Sequence, residues 1–189
     1  MWVLVLYEYP IFHVANRHRD HLFSVRFLIV PHIVGGLAAL ALGPLLFSTR
    51  FRQRKPKLHR NFGKVYVIGV CVASIAFIIL NRHDTAALDI LIDWEQVLLW
   101  LSTTIMAFLC ARNGHYATHR EWMIRSYALT TTFLGTRVLM PFRFYSGMSD
   151  NAFIATIIAL DFLCLLLPDI VFSWKQATIS RRTPLPVAK

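Results

Sequence analysis

Residues 50–66 read RFRQRKPKLHRNFGKVY. Seven cations (Arg50, Arg52, Arg54, Lys55, Lys57, Arg60 and Lys64) stand here without an acid among them, between two long apolar runs. Translocating that much positive charge is disfavoured, so this basic loop is predicted to stay cytoplasmic and to set the topology of every other segment. Its second half, with His59-Arg60, Gly63 and Tyr66, turns into a helix at headgroup level. Activity at the inner face is therefore expected to involve this stretch.

The whole composition agrees with a membrane setting. Of 189 residues, 56% are hydrophobic and only 16% charged, with a mean hydropathy of +0.51. A soluble domain carries about 25% charged residues. The charges are bunched between long apolar runs, which predicts an all-α, polytopic transmembrane helical bundle forming one membrane domain. The net charge of +10 raises the question of nucleic acid. Basic residues beside hydrophobic spans instead mark cytoplasmic loops and contacts to anionic lipids, and no soluble domain presents a basic face. No nucleic-acid partner is expected. Cys71, Cys110 and Cys164 lie in or at the ends of apolar runs, without CxxC or metal-type spacing. They are read as packing residues, with no disulfide implied. Met1–Tyr7 is too short for a signal-peptide core, so no cleavable signal is expected.

Working outward from the basic loop, five spans are predicted at about 27–47, 62–80, 97–111, 122–142 and 152–172. Residues 1–26 read as an N-terminal interfacial segment, with Trp2, Tyr7 and Tyr9 at headgroup level and His13, His18 and His21 in a solvated polar patch. Residues 27–172 form the transmembrane domain, and 173–189 a cytoplasmic tail. The first span carries Gly35, Ala39 and Gly43 at four-residue spacing, a stripe that lets a second helix approach closely, with His32 on it and pointing into the bundle. Residues 85–96 read as an acidic, amphipathic outer segment. The fourth span holds Arg125, Ser126, Thr130, Thr131, Thr132, Thr136 and Arg137, too polar for a lipid-facing helix, and is predicted to be central. Cation asymmetry places the N-terminus outside and the C-terminus in the cytoplasm, in a bacterial inner membrane.

Two ionisable residues of the fifth span have counterparts in the fourth. Running the two spans antiparallel at 1.5 Å per residue brings Asp169 near the depth of Arg125, and Asp161 within roughly two turns of Arg137. Arg125–Asp169 is predicted as the closer ion pair and Arg137–Asp161 as a longer, water-bridged one. The alternative for Asp161 is a neutral carboxyl bonded to Thr130 or Thr136.

His59-Arg60 opens the second span and His119-Arg120 the fourth, both from the cytoplasmic side. With His32, Gly35-Gly36 and Gly43-Pro44, the stretches HRNFGKVYV (59–67) and HREWMIRSYAL (119–129) resemble a family of bacterial multi-pass membrane proteins known as domain of unknown function twenty-three-oh-six. The resemblance runs from about residue 27 to 141 and implies a fold type without an activity. Members carry a further hydrophobic helix before the first span, of which Met1–Tyr7 would be the remnant, implying a chain shortened at its N-terminus.

Histidines from different helices at one depth suit bis-imidazole ligation of haem b, with neighbouring cations for the propionates. His59 and His119 would be the axial ligands, near Arg60, Lys64, Arg120 and Arg125, and membrane electron transfer the function. His32 and His83 would form a second, outer pair. The ordinary reading of such histidines is a hydrogen bond to a headgroup or a loop carbonyl. A different class is an accessory module, in which His59, Arg60, Tyr66, His119, Arg125 and Tyr127 receive an anionic headgroup, a quinone, a partner membrane subunit or a second copy of the chain. A third is a small transporter or proton carrier using His32, Arg137, Asp161 and Asp169. No nucleophile elbow, phosphate loop or zinc-protease motif is present.

Overall fold

The computed structural model describes residues 17–81, 87–139 and 148–178. Among them all regular structure is helical: α1 Arg17–Phe47, α2 Thr49–Arg54, α3 Pro56–Leu80, α4 Ala87–Arg112, α5 Tyr116–Leu139 and α6 Asp150–Thr178. Long apolar runs have no water to satisfy their backbone groups in a bilayer, and the helix satisfies them internally. Arg26–Phe47, Pro56–Leu80, Ile90–Arg112 and Asn151–Trp174 are each long and apolar enough to cross a membrane. α5, at 24 residues, is about 36 Å long at 1.5 Å per residue and also has spanning length. Its polar content keeps it out of that apolar set, and its Ser126, Thr130 and Thr132 are buried inside the bundle.

The basic stretch is more regular than the expected loop. α2 occupies its first part, capped by Ser48, whose hydroxyl accepts from the Phe51 amide at 3.3 Å. The helix breaks only at Lys55, with φ −134° and ψ 64°, because the ring of Pro56 pushes the residue before it out of the helical region. Pro56 then opens α3, where a missing N–H costs nothing. α3 thus begins six residues before the expected 62. α1 begins at Arg17, ten residues before the expected 27, since residues 17–26 contain neither proline nor glycine to end it. α4 and α6 also overrun their predicted limits, α6 reaching Thr178. Residues 1–16, including Trp2, Tyr7, Tyr9 and His13, lie outside the described residues, as does the tail beyond 178.

The helices pack as two antiparallel hairpins with α6 laid against the second. α1 and α3 share the most extensive contact, followed by α4 with α5 and α5 with α6. Between α1 and α3 the small-residue stripe brings backbones together: a Cβ on Gly35 would stand 2.4 Å from the Gly69 carbonyl oxygen. α4 turns into α5 through Gly114, whose φ of 79° lies in the left-handed region that ends helices. The α2 segment and this turn therefore share one end of the bundle, called here the basic end. Val30, Leu37, Ile68, Ile75, Leu98, Leu166 and Ile170 face outward, whereas Ala39, Ala73, Ala107, Tyr66, Trp100 and Leu129 form the core. Small residues inside and large aliphatics outside are the pattern of helices packed in lipid.

Candidate functional site

Three levels of polar chemistry run through the bundle. At the basic end, His119 near the start of α5 bonds through Nδ1 to the Ala107 carbonyl of α4, at 2.8 Å. A carbonyl can only accept, so Nδ1 carries the hydrogen and Nε2 keeps its lone pair in the neutral ring. His59 on α3 lies within electrostatic reach of His119. Its Nδ1 is buried and has no hydrogen-bond partner, while Phe51 of α2 packs against its ring, centroids 6.4 Å apart. Arg60, Lys64 and Arg120 surround this end as exposed side chains.

His32 lies elsewhere. Its Nδ1 bonds the Ala73 carbonyl at 2.9 Å and its ring stacks on Phe77. Ala73 is fourteen residues beyond His59 on α3, about 21 Å along the helix axis. It points into the bundle from the small-residue stripe but does not join the pair. His83, its suggested partner, lies outside the described residues.

The middle level is a closed network. Tyr66, 0% exposed, shares its hydroxyl with Ser126 at 2.9 Å and Thr130 at 3.1 Å. Trp100 Nε1 donates to Thr130 at 2.9 Å, and Thr104 meets Ser126 at 2.7 Å. Thr104 and Thr130 also reach the carbonyls of Trp100 and Ser126 on their own helices. With each of these side chains partnered, the network joins α3, α4 and α5 and leaves no spare group for a ligand. Tyr66 is thus a core tie, not part of an accessible pocket. Beside it Arg125 forms an ion pair with Asp169 of α6 and lies over the rings of Trp122 and Phe172, 4.9 and 5.8 Å from their centroids. The structure therefore brings Arg125 and Asp169 together. Tyr127, on the next face of α5, donates to the Leu40 carbonyl of α1 at 3.2 Å.

The third level lies toward the opposite end. Asp161 of α6 is 0% exposed. Its Oδ2 accepts from Gln96 Nε2 of α4 at 3.4 Å, and its Oδ1 has no partner. Glu95, next to Gln96 on α4, has both carboxyl oxygens buried and without hydrogen-bond partners. Thr132 of α5, bonded to Cys164 Sγ at 3.1 Å, is the nearby hydroxyl. Arg137, paired with Asp161 in the sequence reading, has its side chain outside the described residues, as does Thr136.

The sequence reading left Glu95 in the acidic outer segment and gave Gln96, Trp100 and Thr104 no role in the site. The signal for Glu95 was its spacing: it stands three residues after Ile92 and four before Leu99 on one helical face, and Ile92 is buried at 7% exposure. Thr104 sits inside an apolar run, where nothing in composition separates a network hydroxyl from one bonded to its own helix.

An outward apolar surface, close-packed small residues and a polar interior define a polytopic integral membrane protein. Residues 29–174 match the family described as predicted membrane protein, DUF2306, and the chain belongs to that family. No curated protein and no solved structure matches it.

Proposed function

We propose that this integral membrane protein binds haem b at the basic end and takes part in membrane electron transfer, with His59 and His119 as axial ligands. The observation that carries the reading is the state of the two rings. His119 spends Nδ1 on a carbonyl, the arrangement that orients ligating histidines and leaves Nε2 for the metal. His59 keeps a buried ring nitrogen unsatisfied close by. The residues present fit the donor set of a bis-imidazole site, and the exposed Arg60, Lys64 and Arg120 supply counter-charges for two propionates. Bound haem would supply a one-electron carrier, while the chain's part is to orient the imidazoles and pair the carboxylates. The positive-inside pattern supports a cytoplasmic position for this end in a bacterial inner membrane.

The test is the optical spectrum of protein produced with haem supplied, oxidised and then dithionite-reduced. A Soret band that red-shifts on reduction, lost in His59→Ala and in His119→Ala and kept in His32→Ala, supports the site. A wild-type chain without the band, or a band that survives both inner substitutions, removes it.

A second reading rests on the exposure of Arg52, Arg54, Lys57, Arg60 and Lys64 around α2. In it the same end is an accessory module that binds anionic headgroups, a quinone or a partner membrane subunit. Retention on vesicles of anionic lipid, insensitive to haem supply, distinguishes it.

A further inference from the structure

α2 is held to the bundle by little. It is six residues long, and none of them is buried. A residue off the helical region bounds it on each side: Ser48, with φ −66° and ψ 112°, and Lys55, with φ −134° and ψ 64°. Thr49, Arg50, Arg52, Gln53 and Arg54 are exposed, and Phe51 alone is half-buried. The Phe51 ring stacks on Phe62 of α3, centroids 5.8 Å and planes 16° apart, and its centroid lies 6.4 Å from that of His59. In that contact the His59 Nδ1 is buried and has no hydrogen-bond partner.

A buried polar atom without a partner costs free energy that a water or a ligand would recover. The closed arrangement therefore keeps an unfavourable atom beneath a segment that has one apolar anchor. Turning α2 outward would give up the ring contacts of Phe51, while its cations stay in water or among headgroups either way. We infer that α2 is a lid over His59, turning about Ser48 and Lys55 with Phe51 as its latch, and that its opening admits a ligand to the imidazole. The choice of haem as that ligand rests on the function proposed above, and the lid then governs its entry and retention. The lid itself is built from Phe51, Phe62 and His59 and stands without haem.

The test is carbethoxylation of histidines by diethyl pyrocarbonate in the full chain, held in lipid nanodiscs without added haem and read residue by residue by mass spectrometry. His115, exposed in the turn between α4 and α5, sets the rate of an open ring. His32, bonded to the Ala73 carbonyl within the bundle, reports an intact fold. In the wild type His59 should react several-fold more slowly than His115. F51A should bring it close to the His115 rate with His32 unchanged. S48A keeps the ring but removes the cap that starts α2; it should speed the reaction of His59 several-fold, and it decides the matter should F51A not fold. Equal His59 rates in the wild type and F51A overturn the lid. So does acceleration in F51A with none in S48A, because Phe51 would then be fixed packing and not the anchor of a moving segment. Haem plays no part in this readout: a missing Soret band would remove the proposed function and leave the lid standing, whereas failure of the labelling would remove the lid alone.

Discussion

Tyr127 donates its hydroxyl to the carbonyl of Leu40, 3.2 Å away. That carbonyl is the acceptor that the amide of residue 44 would fill in an unbroken helix, and residue 44 is proline. Tyr127 of α5 thus repairs a defect in α1 from outside, and Gly43 makes room, since a Cβ there would stand 2.0 Å from the Tyr127 ring. An unsatisfied buried carbonyl costs about 1–3 kcal/mol. Tyr127→Phe is therefore expected to destabilise the protein by that order, measured by reversible unfolding in detergent. Pro44→Ala restores the helix's own donor, so the cost of Tyr127→Phe should shrink on that background. An equal cost on both backgrounds would show that the ring, not the hydroxyl, carries the effect.

Gly35 and Gly36 are adjacent and make opposite predictions. A Cβ on Gly35 meets the Gly69 carbonyl at 2.4 Å, whereas one on Gly36 meets nothing within 4 Å. Gly35→Ala must push α1 from α3 and should cost about 1–3 kcal/mol, as overpacking does. Gly36→Ala should be neutral or slightly stabilising, because alanine restricts the unfolded backbone. Thermal unfolding of the two variants side by side decides this. Similar behaviour of the pair would mean that α1 and α3 do not meet along this stripe.

These contacts show which parts of the fold a sequence reveals. Apolar runs longer than a bilayer is thick announce α1, α3, α4 and α6, because burial in lipid needs only hydrophobic side chains in sequence. The stripe of Gly35, Ala39 and Gly43 announced a close helix partner for the same reason: small side chains have no other use on an apolar face. Where α1 starts was not legible, since the segment 17–26 is polar and helical at once. Polar residues were legible in kind but not in partner. Ser126 and Thr130 signalled a central helix, yet that they meet Tyr66 depends on two helices being side by side. Glu95 was hardest, because an acid in an amphipathic segment ordinarily faces water, whereas here both carboxyl oxygens are buried.

The proposed topology rests on the charge pattern and is separately testable. With the α2 segment cytoplasmic, a single cysteine at Lys57 should react with a membrane-impermeant reagent only after the membrane is opened. One at Asp89, in the first turn of α4, should react in intact cells. The natural Cys71, Cys110 and Cys164 are buried or half-buried and are replaced first. Labelling of both positions from the same side would contradict the assigned orientation and the antiparallel course of α3 and α4.

The ion pair between Arg125 and Asp169 offers the sharpest energetic prediction. Its members differ in setting: the Arg125 side chain is 13% exposed and that of Asp169 52%. Arg125 also lies over Trp122 and Phe172, so it has three partners where Asp169 has one. Arg125→Gln removes charge and ring contacts together and should cost more than Asp169→Asn, after which the guanidinium keeps both aromatic faces. Arg125→Lys keeps the charge but loses the planar stacking, and should fall between them. Exposed pairs contribute about 0–1 kcal/mol, and breaking buried ones costs about 3–5. For this half-enclosed pair a double-mutant cycle of Arg125→Gln and Asp169→Asn should give a coupling of about 1–2 kcal/mol. A coupling indistinguishable from zero would mean that α5 and α6 are held by their aliphatic contacts alone. In that case Arg125→Gln would still be destabilising, through the two rings, and Asp169→Asn would not.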